Sequence, residues 1–225
     1  MRYHKIPDET VRRLPVYLRG LMVSAGQGLE HISSQSLADV VGVNAGQIRK
    51  DFSYFGDFGT PGVGYNIETL AREIKKILRL NAVRRTALVG VGDLGSALLA
   101  YPGFRTFGLD IIAAFDIDPK KVGNVVHSVQ IEELSEVETL RQRQISLAIV
   151  AVPRAAAQST VEKLVAAGVC GILNFAPCKV RVPQRVKVIT LDIAMELARL
   201  PYYMPAAELD QNSGGQGRGT IHSVA

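Results

Sequence analysis

The sequence predicts two domains of different class in series. A small helical unit closed by a hairpin comes first, followed by an α/β unit built on a mostly parallel sheet. Residues 33–53 hold two short helical stretches joined by a glycine-containing turn. From residue 84 onward, short apolar runs alternate with helical ones, the pattern of parallel strands covered by helices on both faces. Between these features, Ala87-Leu-Val-Gly-Val-Gly-Asp-Leu-Gly-Ser-Ala-Leu-Leu99 runs from a strand through three glycines into a helix.

The chain has 225 residues, with 47% apolar and 21% charged content, ordinary values for a soluble globular protein. A formal charge of +5 and a pI of about 9.3 permit a nucleic-acid partner without requiring one. The basic excess is spread, with 11 Lys/Arg against 8 Asp/Glu in residues 1–80 and 15 against 13 in the remainder, so charge alone decides nothing. Met1-Arg-Tyr-His-Lys5 leads into a polar stretch rather than a signal peptide, and no apolar run is long enough to cross a bilayer. The reading is a cytoplasmic protein without membrane contact and with Cys170 and Cys178 reduced. Cys170 is placed in a buried strand and Cys178 in a loop, a disulfide switch being the alternative. No zinc-site spacing is present.

In chain order, Pro7, Asp8 and Glu9 open a first helix with Val11, Leu14, Leu18, Leu21 and Met22 on one face. Pro15 should kink or restart it, and Gly26 and Gly28 end it. A helix over 35–41 with a serine cap, the turn Gly42-Val43-Asn44, and a second helix from Ala45 to about Ser53 capped by Asn44 form a helix-turn-helix. Leu37, Ala38, Val41, Val43 and Ile48 make its core, leaving Ala45, Gln47, Arg49, Lys50, Ser53 and Tyr54 outward. Gln, Arg and Lys are side chains that read base edges or hold phosphates, so Gln47, Arg49, Lys50, Ser53 and Tyr54 are the candidate DNA-binding set. The competing reading is a helical hairpin with a solvated basic face. Tyr54 to Tyr65, with glycines between aromatics, suits a two-stranded hairpin, which after a helix-turn-helix is a wing. Asn66 caps a helix running to Leu80.

In the second domain, Thr86–Val89 is a strand that meets Gly90, Gly92 and Gly95 at GxGxxG spacing. In such a unit the first glycine makes the turn, the second admits a pyrophosphate and the third lets helix and strand pack. The next strand, Leu109–Phe115, ends in Asp116, about twenty residues beyond the glycines, where a carboxylate takes ribose hydroxyls. That acid, followed by Ile117 without an arginine to hold a 2′-phosphate, favours NAD⁺ and NADH over their phosphorylated forms. Strands at Val125–Val129, Leu147–Pro153, Cys170–Phe175 and Val186–Leu191 and helices over 131–142 and 155–167 complete a Rossmann-like sheet. Ligands bind at the carboxyl ends of such strands. This rule gathers Gly90, Val91, Gly92, Asp93, Leu94 and Gly95 with Asp116, Ile117, Val152, Pro153, Asn174, Phe175, Ala176 and Pro177 as the cofactor set. Asp192 caps a final helix to Leu200, and a polar glycine-rich tail follows at 206–225.

A winged helix followed by a dinucleotide fold resembles the Rex family of redox-sensing repressors. The resemblance rests on Ile6-Pro7 with Arg13-Leu14-Pro15, Gln47-Ile-Arg-Lys-Asp-Phe-Ser-Tyr-Phe-Gly56, Gly62-Val-Gly-Tyr-Asn66, the glycine loop, and Gly171-Ile-Leu-Asn-Phe-Ala-Pro177. It implies a homodimer on an inverted-repeat operator in double-stranded DNA, released by NADH and not by NAD⁺. It also implies a division into a DNA-binding domain (1–80), an NAD(H)-binding domain (84–191) and a dimerisation helix (192–204) swapped between subunits. By the same resemblance, Tyr101 senses the nicotinamide, and Asp192 pairs with either that tyrosine or an arginine, matched here to Arg13. Thr60-Pro61 stands where many relatives carry a basic wing tip, and Ile193 where some carry an aromatic. The alternatives are a small NAD-dependent oxidoreductase and a sensor of another nucleotide such as coenzyme A. The first has almost no chain left for a substrate domain, with only His127 of four histidines in the dinucleotide fold, and Asp116 counts against the second.

Overall fold

The computed structural model describes residues 6–204, and the tail expected at 206–225 lies outside the described residues. Two compact units are present: residues up to Arg84 with Pro102–Asp110, and Arg85–Tyr101 with Ile111 onward.

The first unit opens with α1 (Asp8–Gly26), one continuous helix with Pro15 inside it, so the helix does not restart there. Proline in a helix interior costs about 3 kcal/mol. Leu14, Tyr17, Leu18 and Leu21 on either side are fully buried, and burying each such apolar side chain contributes about 1.5–3 kcal/mol. Packing therefore keeps the helix in one piece. β1 (His31–Ile32), α2 (Ser34–Val41) and α3 (Ala45–Ser53) follow. Ser33 Oγ accepts from the Ser36 N–H at 2.9 Å and Asn44 Oδ1 from the Gly46 N–H at 2.8 Å, the two expected caps. Gly42, left-handed at φ 69°, makes the turn between the helices.

The hairpin expected within 54–65 is reduced to a single bridge between Thr60 and Gly64. The next strand, β2 (Tyr65–Asn66), pairs antiparallel with β1 instead. A stretch this rich in glycine has few side chains to support a ladder of its own. Aromatic packing holds the wing: Phe52 of α3 meets Phe58 and Tyr65 edge-on, ring centres 5.8 and 5.3 Å away. α4 (Ile67–Ile77) is capped by Asn66 and packs on α1. It stops short of Leu80 because Arg79 turns left-handed at φ 58° and the Leu80 N–H bonds the Lys75 carbonyl at 2.7 Å.

The second unit contains β3 (Arg84–Val89), α5 (Asp93–Ala100), β4 (Leu109–Asp116), β5 (Val125–Val126), β6 (Val129–Glu133), β7 (Leu147–Val150), α7 (Arg154–Ala166), β8 (Gly171–Asn174) and β9 (Lys187–Thr190). The short α6 (Gly103–Thr106) lies in the segment that joins the first unit. The strands form one sheet in the order β5-β6-β4-β3-β7-β8-β9. β3, β7, β8 and β9 pair parallel, so their carboxyl ends share one edge, and only the β5–β6 pairing is antiparallel among the registers described.

Three expectations change here. Val125–Val129 is not one strand but a hairpin into β6, turned by His127 and Ser128 at φ 46° and 69°. The helix expected over 131–142 is the end of β6 followed by a 3₁₀ helix, Leu134–Leu140. Val129 and Ile131 are buried on either side of exposed Gln130, which is strand periodicity. Cys170 is exposed ahead of β8 rather than buried, and it and half-buried Cys178 are free thiols. After β9, Asp192 Oδ1 accepts from the N–H groups of Ala194 and Met195 to cap α8 (Ile193–Ala198). Ile193, Met195, Leu197 and Leu200 are exposed along it and the 3₁₀ turn that follows. No helix of the described residues is long and apolar enough to cross a membrane.

Candidate functional site

The turn from β3 into α5 is set by its glycines. Gly90 sits at φ 93°, and a Cβ there would strike the Ala151 carbonyl beside the end of β7. A Cβ on Gly95 would run into the Gly90 carbonyl, whereas one on Gly92 would meet nothing. The first and third glycines are thus required by the protein's own backbone, and the second faces open space. No side chain caps α5. This fits a turn whose helix-start N–H groups are left for a phosphate.

The turn opens on a cleft of about 780 Å³. Of the expected cofactor residues, Gly90, Gly92, Asp93, Leu94, Asp116, Ile117, Val152 and Pro153 line it. Asp116 closes β4 with only 7% of its surface exposed. Its Oδ2 accepts the Val91 N–H at 2.8 Å, its Oδ1 accepts the Asp118 N–H at 2.9 Å, and Lys121 Nζ stands 3.4 Å away. Burial opposes the charge, but the two backbone N–H groups and then Lys121 outweigh it and hold the carboxyl below its ordinary range. The acid is therefore ionised and tied to the glycine turn through Val91.

The remaining expected residues fall elsewhere. Asn174 is fully buried and builds its own loop: its amide nitrogen donates to the Ala176 and Cys178 carbonyls, and its oxygen accepts the Ala176 N–H. Phe175, Ala176 and Pro177 belong to that loop and do not line the cleft. Val91 and Gly95 serve as donor and packing partner from beneath, and Tyr101, half-exposed, follows the last turn of α5. Sequence reasoning missed Lys121 and the α7 residues Ser159, Thr160 and Lys163, which line the far wall. Ser159 and Lys163 lie four apart on one helical face, a spacing already visible in the sequence.

In the first unit, Arg49, Lys50 and Ser53 of α3 are exposed, Gln47 and Tyr54 are half-buried, and Ala45, expected outward, is buried. Arg49 Nη1 donates to Ser34 Oγ at 2.8 Å at the side of a groove of about 700 Å³ between α3 and the 56–64 loop. Behind α3, Asp51 is fully buried and accepts from Arg13 Nε and Nη2 at 2.6 and 2.9 Å, Tyr17 Oη at 2.6 Å, Thr10 Oγ1 at 2.9 Å and Gln47 Nε2 at 2.8 Å. Burial pushes this carboxyl up, but the bonds from Arg13, Tyr17, Gln47 and Thr10 bring it down to about 2. Burial and the bond to Asp51 push the Tyr17 hydroxyl well up. Arg13 is thus committed within its own unit, and Asp192 caps α8 through Oδ1.

A capped helix-turn-helix with a wing, followed by a strand-glycine turn-helix unit with an ionised acid lining its cleft, defines a nucleotide-responsive DNA-binding regulator. A family model described as a putative DNA-binding protein N-terminus matches residues 5–53, and one described as a CoA binding domain matches residues 81–178. The redox-sensing transcriptional repressor Rex of Lactobacillus gasseri is 43% identical over 209 residues, covering 92% of this chain and 97% of that protein. Rex of Carboxydothermus hydrogenoformans is 43% identical, over 90% of this chain and 98% of its own. The crystal structure of RSP with β-NAD⁺ and operator DNA superposes with a TM-score of 0.83 at 33% identity, covering 95% of this chain and 99% of that one. RSP with β-NADH gives 0.80 at 31%, over 93% of this chain and 98% of that one. The chain belongs to the Rex family of redox-sensing transcriptional repressors.

Proposed function

We propose that this chain is a cytoplasmic homodimeric repressor that holds an inverted-repeat operator through α3 and the wing and lets go when NADH enters the β3–α5 cleft. The observation that carries this reading is the pairing of an open Gly92 with an ionised Asp116 tied to the same turn, in a chain that also carries a capped recognition helix. Asp116 would take the ribose hydroxyls and the α5 start the pyrophosphate, with α7 as the far wall. A bound dinucleotide supplies the redox signal through its nicotinamide. On this reading residues 1–80 bind DNA, 84–191 bind the nucleotide and 192–204 dimerise, which suits the exposed apolar line of α8.

The switch we propose is a pairing of Asp192 with an α1 arginine in only one state. Arg13 would have to leave the buried Asp51 to serve. Arg19, exposed on the same helix, lies over the Phe107 ring at 5.5 Å and has no acidic partner among the described residues, so the role falls to it. To move occupancy from nearly all to nearly none, NADH must favour the released state by about 5.5 kcal/mol.

The test is a mobility titration of an inverted-repeat promoter fragment with NADH, NAD⁺ or coenzyme A at matched salt. Release by NADH alone is expected. Release by coenzyme A and not by NADH would replace the dinucleotide with the ligand that the second family model's description names.

A further inference from the structure

Asp51 decides which edge of Gln47 the recognition helix can offer. A charged carboxylate only accepts, so the Gln47 atom 2.8 Å from Asp51 Oδ1 is the amide nitrogen. The same charge repels the amide oxygen. The N–H anti to that oxygen is therefore the one donated, leaving the oxygen and the syn N–H directed away from Asp51. An acceptor beside a donor on one planar amide complements the major-groove edge of adenine, where N6 donates and N7 accepts. Gln47 lies in the first turn of α3, the part of a recognition helix that meets base edges. Arg49 and Lys50 on the same helix present donors only, which suit guanine or phosphate.

We propose that Gln47 reads an adenine in each half-site and that Asp51, locked to α1 by Thr10, Arg13 and Tyr17, is the positioning residue that sets the polarity of its amide. This rests on the DNA-binding reading of α3.

Duplexes selected by the wild-type chain from a random pool supply the probe, and recovery of no preferred sequence would sink the DNA-binding reading itself. Each adenine of the selected site is then replaced by 7-deazaadenine, which keeps base pairing and removes the N7 acceptor. At one adenine per half-site the wild type is expected to lose about tenfold or more in affinity, the scale of one bidentate base contact. Gln47→Ala, weaker at the outset, is expected to lose nothing further there. Asp51→Asn, whose amide can offer an N–H to the Gln47 oxygen and reverse it, should lose the sensitivity at that adenine and keep it at others. A merely structural Asp51 would weaken every probe alike. Should Asp51→Asn fail to fold by circular dichroism, Gln47→Met removes one donor but leaves the bonds of Thr10, Arg13 and Tyr17 to Asp51 in place, and is expected to behave as Gln47→Ala does. Equal responses of the wild type and Gln47→Ala at every adenine would overturn the proposal.

Discussion

Asp51 in the first unit and Asp116 in the second are both buried and both held charged, but by different means. Asp51 takes its five hydrogen-bond donors entirely from side chains: Thr10, Arg13 (twice), Tyr17 and Gln47, reaching from α1 and from its own helix. Nothing of it is exposed. Asp116 is held chiefly by the backbone N–H groups of Val91 and Asp118, with Lys121 at longer range, and it lines an open cleft. One carboxylate is saturated by the protein and ties helices together. The other keeps capacity for a guest. A carboxylate can accept about four hydrogen bonds or more, so donor count separates a structural acid from a recognition acid when burial does not.

The largest effect is expected from removing the saturated acid. Asp51→Ala leaves half-buried Arg13 and buried Tyr17 and Thr10 without their partner, and should destabilise the first unit by about 3 kcal/mol. Chemical unfolding followed by circular dichroism would read this, with NADH affinity retained as the internal control. A cost under about 1 kcal/mol would mean that the network is ornamental. The same group gives a pH signature. Its carboxyl lies at about 2 when folded against an ordinary 3.8, so its contribution is fully present above about pH 4 and lost as pH falls through about 2. That loss amounts to about 2–3 kcal/mol. Unfolding free energies between pH 5 and 2 should fall steeply in the wild type and less in Asp51→Asn.

Asp116→Ala comes next. The loss of a charged partner for ribose hydroxyls should weaken NADH binding by about 1.5–3 kcal/mol. The variant should therefore remain on DNA at NADH levels that release the wild type. Calorimetric titration and the mobility assay read the two halves of this expectation. Tight NADH binding by Asp116→Ala would reduce the acid to a strand terminus.

Where chemistry is local, the sequence was legible. The Asn44 and Ser33 caps, the glycine turn and Asp116 each act on atoms a few residues away or on a fixed strand-turn-helix unit, and they stand where spacing put them. Long-range partners were not legible. Arg13 sits in a family-like Arg-Leu-Pro, yet its partner is Asp51, 38 residues on, and nothing in the spacing names that pair. Pro15 did not end α1 because burial on both sides outweighed its local cost. Asn174 drew attention as a strand-end polar residue, but its amide is consumed by its own loop. Lys121 and Lys163 were missed because only folding brings the β4 end and the α7 face to one cleft.

The smallest effect sharpens the contrast most. If backbone N–H groups are what hold Asp116, its cation is dispensable, unlike Arg13 at Asp51. Lys121 is partly exposed and 3.4 Å away, a geometry worth at most about 1 kcal/mol. Lys121→Ala should therefore change NADH affinity by less than about fivefold, and the Kd should stay flat from pH 8 to 5 because the N–H groups of Val91 and Asp118 still hold the carboxylate. A tenfold or larger loss, growing as pH falls, would show instead that Lys121 keeps Asp116 ionised. The two aspartates would then be the same device, one of them merely placed beside a cleft.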